Sequence, residues 1–152
     1  MEALNVLRIE KGFITHAEIH GRTTAFDIGM DGMVSLKKDC IGQALAQRPG
    51  LKEESREQLV GLKLKGKGKR LTAGAHLFTD GDGFVRENSQ GYVTSVCYSP
   101  TLGTHLGLGF LKNGRARHGE IVTLRDHLRD VTVEVEVSDP VFFDPEGGRV
   151  RG

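Results

Sequence analysis

The chain lacks an excess of charge of either sign. It has 21 Lys and Arg against 20 Asp and Glu, a formal net charge of +1 over 152 residues. No global field recruits nucleic acid or a membrane surface, so neither is an expected partner. Long apolar runs are also missing, and none approaches the ~18 residues of a transmembrane helix. The N-terminus has no basic flank leading into an apolar core, so no signal peptide is read there and a cytoplasmic protein is expected. Cysteine is scarce: Cys40 and Cys97 lie far apart, each within an apolar run. They could form a disulfide, but two buried free thiols in a reducing compartment is the expectation. Proline is scarce as well, with four residues and no low-complexity stretch.

Glycine is abundant instead: 21 residues, about double the usual share of roughly 7%. With so few prolines, that points to many tight turns and many short strands. Apolar residues at 38% and charged residues at 27% are ordinary for one globular domain, or for a domain plus part of another.

The chain changes character at RPGLKEESRE (48–57), where Pro49-Gly50 is followed by five charges in six residues. This reads as a linker. Before it, Glu2–Lys11 reads as a helix ending at Gly12. An extended FITHAEI (13–19), a His20-Gly21 turn, a strand-like GMVSL (32–36) and a short helix IGQALAQR (41–48) follow. Such a segment cannot easily close a core alone. After the linker nearly everything alternates with period two: LVGLKL (59–64), AGAHLFT (73–79), GYVTSVCY (91–98), LGLGFL (106–111) and VTVEVEV (131–137). Val131, Val133, Val135 and Val137 should share one buried face. Seven or so short strands predict a closed or nearly closed antiparallel barrel or sandwich.

Motifs for chemistry are weak. TDGDGFVRE (79–87) superficially resembles a calcium loop, yet only Asp80 and Asp82 fit, and a hairpin turn on Asp-Gly is the expected structure. KLKGKGKR (63–70) has no helix after it to cradle phosphate, and reads as a solvated hairpin tip. In an extended segment His16 and His20 would stand ~13 Å apart with no third ligand, so no metal is expected. No nucleophile elbow or dinucleotide fingerprint occurs, so no catalytic residue is assigned.

One residue stands out. On a helical projection Ala3, Val6, Leu7 and Glu10 fall on one arc, placing a carboxylate within an apolar face. It also lies in the last turn, where the helix dipole favours cations. Either Glu10 reaches water from a half-buried face, or it meets a ligand or partner with N–H donors. A carboxylate offers two adjacent acceptors and suits a planar donor pair, such as an amidine-like heterocycle edge.

Two segments, EALNVLRIEKGFI (2–14) and SLKKDCIGQAL (35–45), resemble the folate-binding aminomethyltransferase family typified by the glycine cleavage T-protein. Two others, GYVTSVCYSPTLGTHLGLGFLKNGRARHGE (91–120) and DPVFFDPEGGRVRG (139–152), resemble more narrowly the end of the α subunits of heterotetrameric sarcosine oxidases. The resemblance spans essentially the whole chain, with indels mainly around 65–90. It implies an α+β protein: a small α/β remnant (1–50) of a folate-binding domain, packed on a C-terminal antiparallel β-barrel (57–149). It also implies that Glu10, matching the family's Leu-Arg-x-Glu element, accepts hydrogen bonds from the pterin ring of tetrahydrofolate. Thr24-Ala25 stands where the family often has Thr-Pro.

The implied role is part of a tetrahydrofolate site, taking up the methylene group after oxidative demethylation of sarcosine. FAD, FMN and NAD would belong to the parent complex, outside this chain. Other oxidase subunits or the upstream part of the α subunit are the implied partners, and a homo-oligomer is a further possibility. Alone, the chain is expected to do no chemistry. Two alternatives stand beside this: a piece of a plain folate-dependent aminomethyltransferase, or a non-catalytic barrel module for subunit contacts.

Overall fold

A computed structural model of the chain describes residues 2–35, 37–53, 55–66 and 70–151. Helix α1 spans Glu2–Glu10, and short helices α2 and α3 span Gln43–Ala46 and Gly148–Arg151. Six strands follow the first fifty residues: β1 (Glu57–Leu64), β2 (His76–Phe78), β3 (Gly91–Ser99), β4 (Thr104–Lys112), β5 (Ile121–Asp126) and β6 (Val131–Ser138). They close into an antiparallel barrel in the order β1-β4-β3-β2-β5-β6, with β1 also pairing β6.

The alternating segments all enter the barrel. Val133, Val135 and Val137 are buried inside it, with Val131 packed at the edge of the same core. Val60, Leu62, Val93, Val122 and Leu124 meet them there. Strand β5 has the same alternation, and the strands among the described residues number six rather than seven.

Strand β4 inverts the usual arrangement. Gly107 and Gly109 turn to the interior, while Leu106, Leu108 and Phe110 face outward. A Cβ on Gly109 would lie 2.7 Å from the Tyr92 carbonyl oxygen and 3.2 Å from Leu62, so no larger residue fits there. The outward face is buried beneath the N-terminal segment, in a second cluster holding Ile9, Leu59 and Cys97 with Val6, Ile14 and Phe142 at its margin. Two hydrophobic layers share the barrel wall, one inside it and one outside.

Helix α1 stops as expected. Gly12 takes φ +72°, the Phe13 N–H donates to the Arg8 carbonyl (2.8 Å) and the Gly12 N–H to that of Ile9 (3.0 Å). These are the two bonds of a Schellman cap. The buried face differs from the helical projection. Ile9 and Glu10 are buried and Val6 is half-buried, whereas Ala3 and Leu7 are exposed. The outer cluster of the barrel wall meets α1 through Val6 and Ile9, and that docking fixes the helix rotation.

Among the described residues neither strand expected before residue 50 forms. FITHAEI folds into a turn, because the Glu18 carboxylate accepts the Thr15 N–H (2.8 Å) and hydroxyl (3.1 Å). Thr24 and Asp27 repeat the device: Asp27 accepts the Thr24 N–H (2.8 Å) while the Asp27 N–H donates to the Thr24 hydroxyl (3.2 Å). Thr24 and Asp27 make the two reciprocal bonds of a capping box; Thr15 and Glu18 share the spacing but make only the acid-to-N–H half of it. GMVSL holds a 3-10 turn over Asp31–Met33, and its Leu36 lies outside the described residues.

KLKGKGKR is not the tip of a hairpin, since β1 and β2 are not neighbours, and its residues 67–69 lie outside the described residues. The Asp80–Gly83 turn does join paired strands, β2 and β3, through a connection spanning 79–90. Cys40 is exposed rather than buried, because the segment around it packs on neither core; Cys97 is buried, and both are free.

Candidate functional site

Glu10 ends α1 against strand β3 and the chain after β6. Its backbone carbonyl accepts the N–H groups of Phe142 (2.9 Å) and Phe143 (3.0 Å). The residue is 3% exposed. Oε1 accepts a hydrogen bond from the Ser99 hydroxyl at 2.5 Å, and no described residue donates to Oε2.

The strand reaches this helix because of a β-bulge. Val93 pairs with Gly109 but Ser95 pairs with Leu108, so the register slips by one residue. Before the slip, Val93 faces the interior. After it, Val96 does, and Ser95 and Cys97 turn to the outer side. A bulge re-aims every later side chain on its strand. Here it presents Ser95, Cys97 and Ser99 to α1.

A second buried carboxylate, Glu18, meets the same strand. Glu18 is completely buried and accepts hydroxyl bonds from Ser95 (2.5 Å) and Thr94 (2.7 Å), besides those from Thr15. Arg8 bridges helix and strand, with Nη2 donating to Ser95 Oγ (2.9 Å) and Nη1 3.5 Å from Glu18. Burial pushes the Glu18 carboxyl up, but the donors from Ser95, Thr94 and Thr15 outweigh it and hold the group below the usual range. Asp27 behaves likewise: burial raises it, and Arg56, bound through two contacts of 2.8 Å, together with Thr24 brings it down. Neither carboxylate was singled out in the sequence. The signal was present as Thr15-x-x-Glu18 and Thr24-x-x-Asp27.

Cys97 shares the seam with Glu10. Burial, and secondly the negative charge of Glu10, push its thiol up to about 11. Thiolates, not thiols, react with disulfide reagents. At pH 8, Cys40 should therefore react fast and Cys97 only after unfolding. A thiol count of two before denaturation would contradict this burial.

His16 and His20 form no metal cluster, and no group of three or more metal-ligating side chains occurs among the described residues. The His20 ring lies instead 3.2 Å from the Tyr92 hydroxyl. Three surface cavities of about 790, 660 and 750 Å³ are lined by other residues than Glu10. The second of these borders the end of α1, through Gly12, Phe13 and Val141. What the described residues around Glu10 assemble is a held carboxylate that can accept a further hydrogen bond.

A closed barrel wrapped by an N-terminal helix and a C-terminal strap defines the class. The chain belongs to the family of the glycine cleavage T-protein C-terminal barrel domain, whose profile matches residues 57–144. It is similar to the sarcosine oxidase subunit alpha of Rhizobium meliloti (strain 1021), 42% identical over 99% of this chain and 15% of that protein. The sarcosine oxidase subunit alpha of Corynebacterium sp. (strain P-1) is 40% identical over 99% of this chain and 16% of its own length. An aminomethyltransferase of Thermosipho melanesiensis is 29% identical, over 93% of this chain and 36% of that protein. The chain thus spans about a sixth of the oxidase subunits it matches. The crystal structure of aminomethyltransferase T from Bartonella henselae shares the fold, with a TM-score of 0.66 at 24% identity over 94% of this chain and 38% of that one. Among the described residues no helix is long and apolar enough to cross a membrane.

Proposed function

We propose that this chain forms one wall of a tetrahydrofolate site in a protein like the sarcosine oxidase α subunit, and so serves methylene transfer after sarcosine demethylation. The observation that carries this is Glu10: a buried carboxylate with Oε1 bound to Ser99 and Oε2 offered no donor by the described residues. A held acceptor of this kind fits the N–H edge of a pterin, which donates. Tetrahydrofolate would supply the acceptor for the one-carbon unit. Glu10 would hold its ring, and the barrel would hold Glu10. FAD, FMN and NAD have no residues assigned in this chain.

Residues 1–50 are proposed as the end of the folate-binding domain and 57–149 as the barrel domain. Leu4, Leu7, Met33, Ile41 and Leu45 are exposed on the first of these. Exposed apolar side chains of this size suit burial against the rest of a longer protein or another oxidase subunit. The two free thiols suit a reducing compartment such as the cytoplasm.

Calorimetry with tetrahydrofolate on the full-length protein tests the reading. Glu10→Ala should weaken binding by ~2–5 kcal/mol, roughly thirty-fold or more. Glu10→Gln should also weaken it, since an amide offers one acceptor and one donor where the Ser99 hydroxyl and the ligand each need an acceptor. Unchanged affinity in Glu10→Ala would end the folate assignment.

A further inference from the structure

We infer that Ser99 is the positioning residue of this site: it locks the Glu10 carboxylate so that Oε2 alone is presented to the ligand. The inference rests on the folate reading of Glu10 and adds a residue that the Leu-Arg-x-Glu element does not contain.

The argument begins with proton direction. A serine hydroxyl has one proton to donate and lone pairs to accept, whereas an ionised carboxylate only accepts. Ser99 Oγ accepts the backbone N–H of Leu102 at 3.0 Å. Its single proton is therefore free to point at Glu10 Oε1, 2.5 Å away. The hydroxyl cannot swing off without leaving the Leu102 N–H and a buried carboxylate oxygen unmatched. Ser99 itself is completely buried, and its carbonyl accepts the Gly103 N–H at 2.9 Å. The turn Ser99-Pro100-Thr101-Leu102-Gly103 thus holds the serine from both its backbone and its side chain. Gly103, at φ +65°, lets the chain close this turn.

On the other side, Phe142 and Phe143 fix the Glu10 carbonyl. The residue is gripped at main chain and at one carboxylate oxygen, and the remaining oxygen has one direction left. A free glutamate would lose its rotamer freedom on binding; here Ser99 has already removed it. The bulge at Val93/Ser95 is what makes this possible, because without the slip Ser99 would face the barrel interior.

The test compares Ser99→Thr with Ser99→Val in the full-length protein, by tetrahydrofolate titration. These two variants have nearly the same shape and differ by a hydroxyl against a methyl, so packing and folding defects cancel in the ratio. Thr should bind close to the parent affinity and Val about tenfold more weakly, the size of one lost hydrogen bond to a charged group. In a Glu10→Ala background the Thr–Val difference should vanish, since Ser99 acts only through that carboxylate. Equal affinities of the Thr and Val variants, or a difference that persists without Glu10, would overturn the positioning role. If Glu10→Ala itself leaves affinity unchanged, the folate reading fails first and the inference falls with it.

Discussion

Replacing Glu18 with Ala should cost ~3–5 kcal/mol of stability, the largest loss expected from any single side chain outside the barrel interior. The carboxylate is fully buried and takes donors from Thr15, Thr94 and Ser95, with Arg8 beside it. Truncation leaves Arg8, itself largely buried, with no countercharge, and leaves three hydroxyls to find other acceptors. Chemical denaturation should show a lower midpoint at unchanged slope. A midpoint shift worth less than about 1 kcal/mol would mean that water replaces the lost acceptor.

The same group gives stability an acid limb. Its folded pKa lies below the ordinary glutamate value of about 4.3. The unfolded chain therefore takes up the proton first as pH falls, and the stabilisation is complete above that value. It drains away as pH drops through the folded pKa. Asp27 adds in the same sense, since its folded pKa is also lowered. Glu18→Gln should flatten this limb without removing it.

The second large effect concerns the C-terminal strap. In Gly61→Ala the new methyl would overlap the Asp139 carbonyl oxygen and sit 2.8 Å from the Phe142 ring. The clash lies on the outer face of β1, so the barrel interior is not its target. The strap should lift from the wall, breaking the two N–H bonds from Phe142 and Phe143 to the Glu10 carbonyl. A loss of ~1–3 kcal/mol is the usual cost of overpacking. Hydrogen exchange distinguishes the mechanism: the Phe142 and Phe143 amides should lose protection while those of β5 and β6 keep it. Uniform loss across the barrel would place the strain in the sheet instead.

Much of the architecture is local and was legible. Period-two alternation at 59–64, 91–98, 106–111 and 131–137 marks strands, because a pleated backbone sends neighbouring side chains to opposite faces. Gly12 marks the end of α1, because the left-handed turn there suits a residue without Cβ. Glu10 was conspicuous as a carboxylate among apolar neighbours, and its burial is observed.

What tertiary structure decided is non-local. The alternation in FITHAEI mimics a strand, but without a partner strand the Thr15–Glu18 turn has nothing to compete with. The rotation of α1 follows the outer barrel wall it meets, not its own hydrophobic arc. Cys40 lies in a segment that no core covers, and so is exposed. The role of Ser99 depends on one slipped residue between Val93 and Ser95, and a slip is defined only by the facing strand. Local pattern sets which residues can share a face; the partner across the ladder sets which face it is, and therefore which side chains reach Glu10.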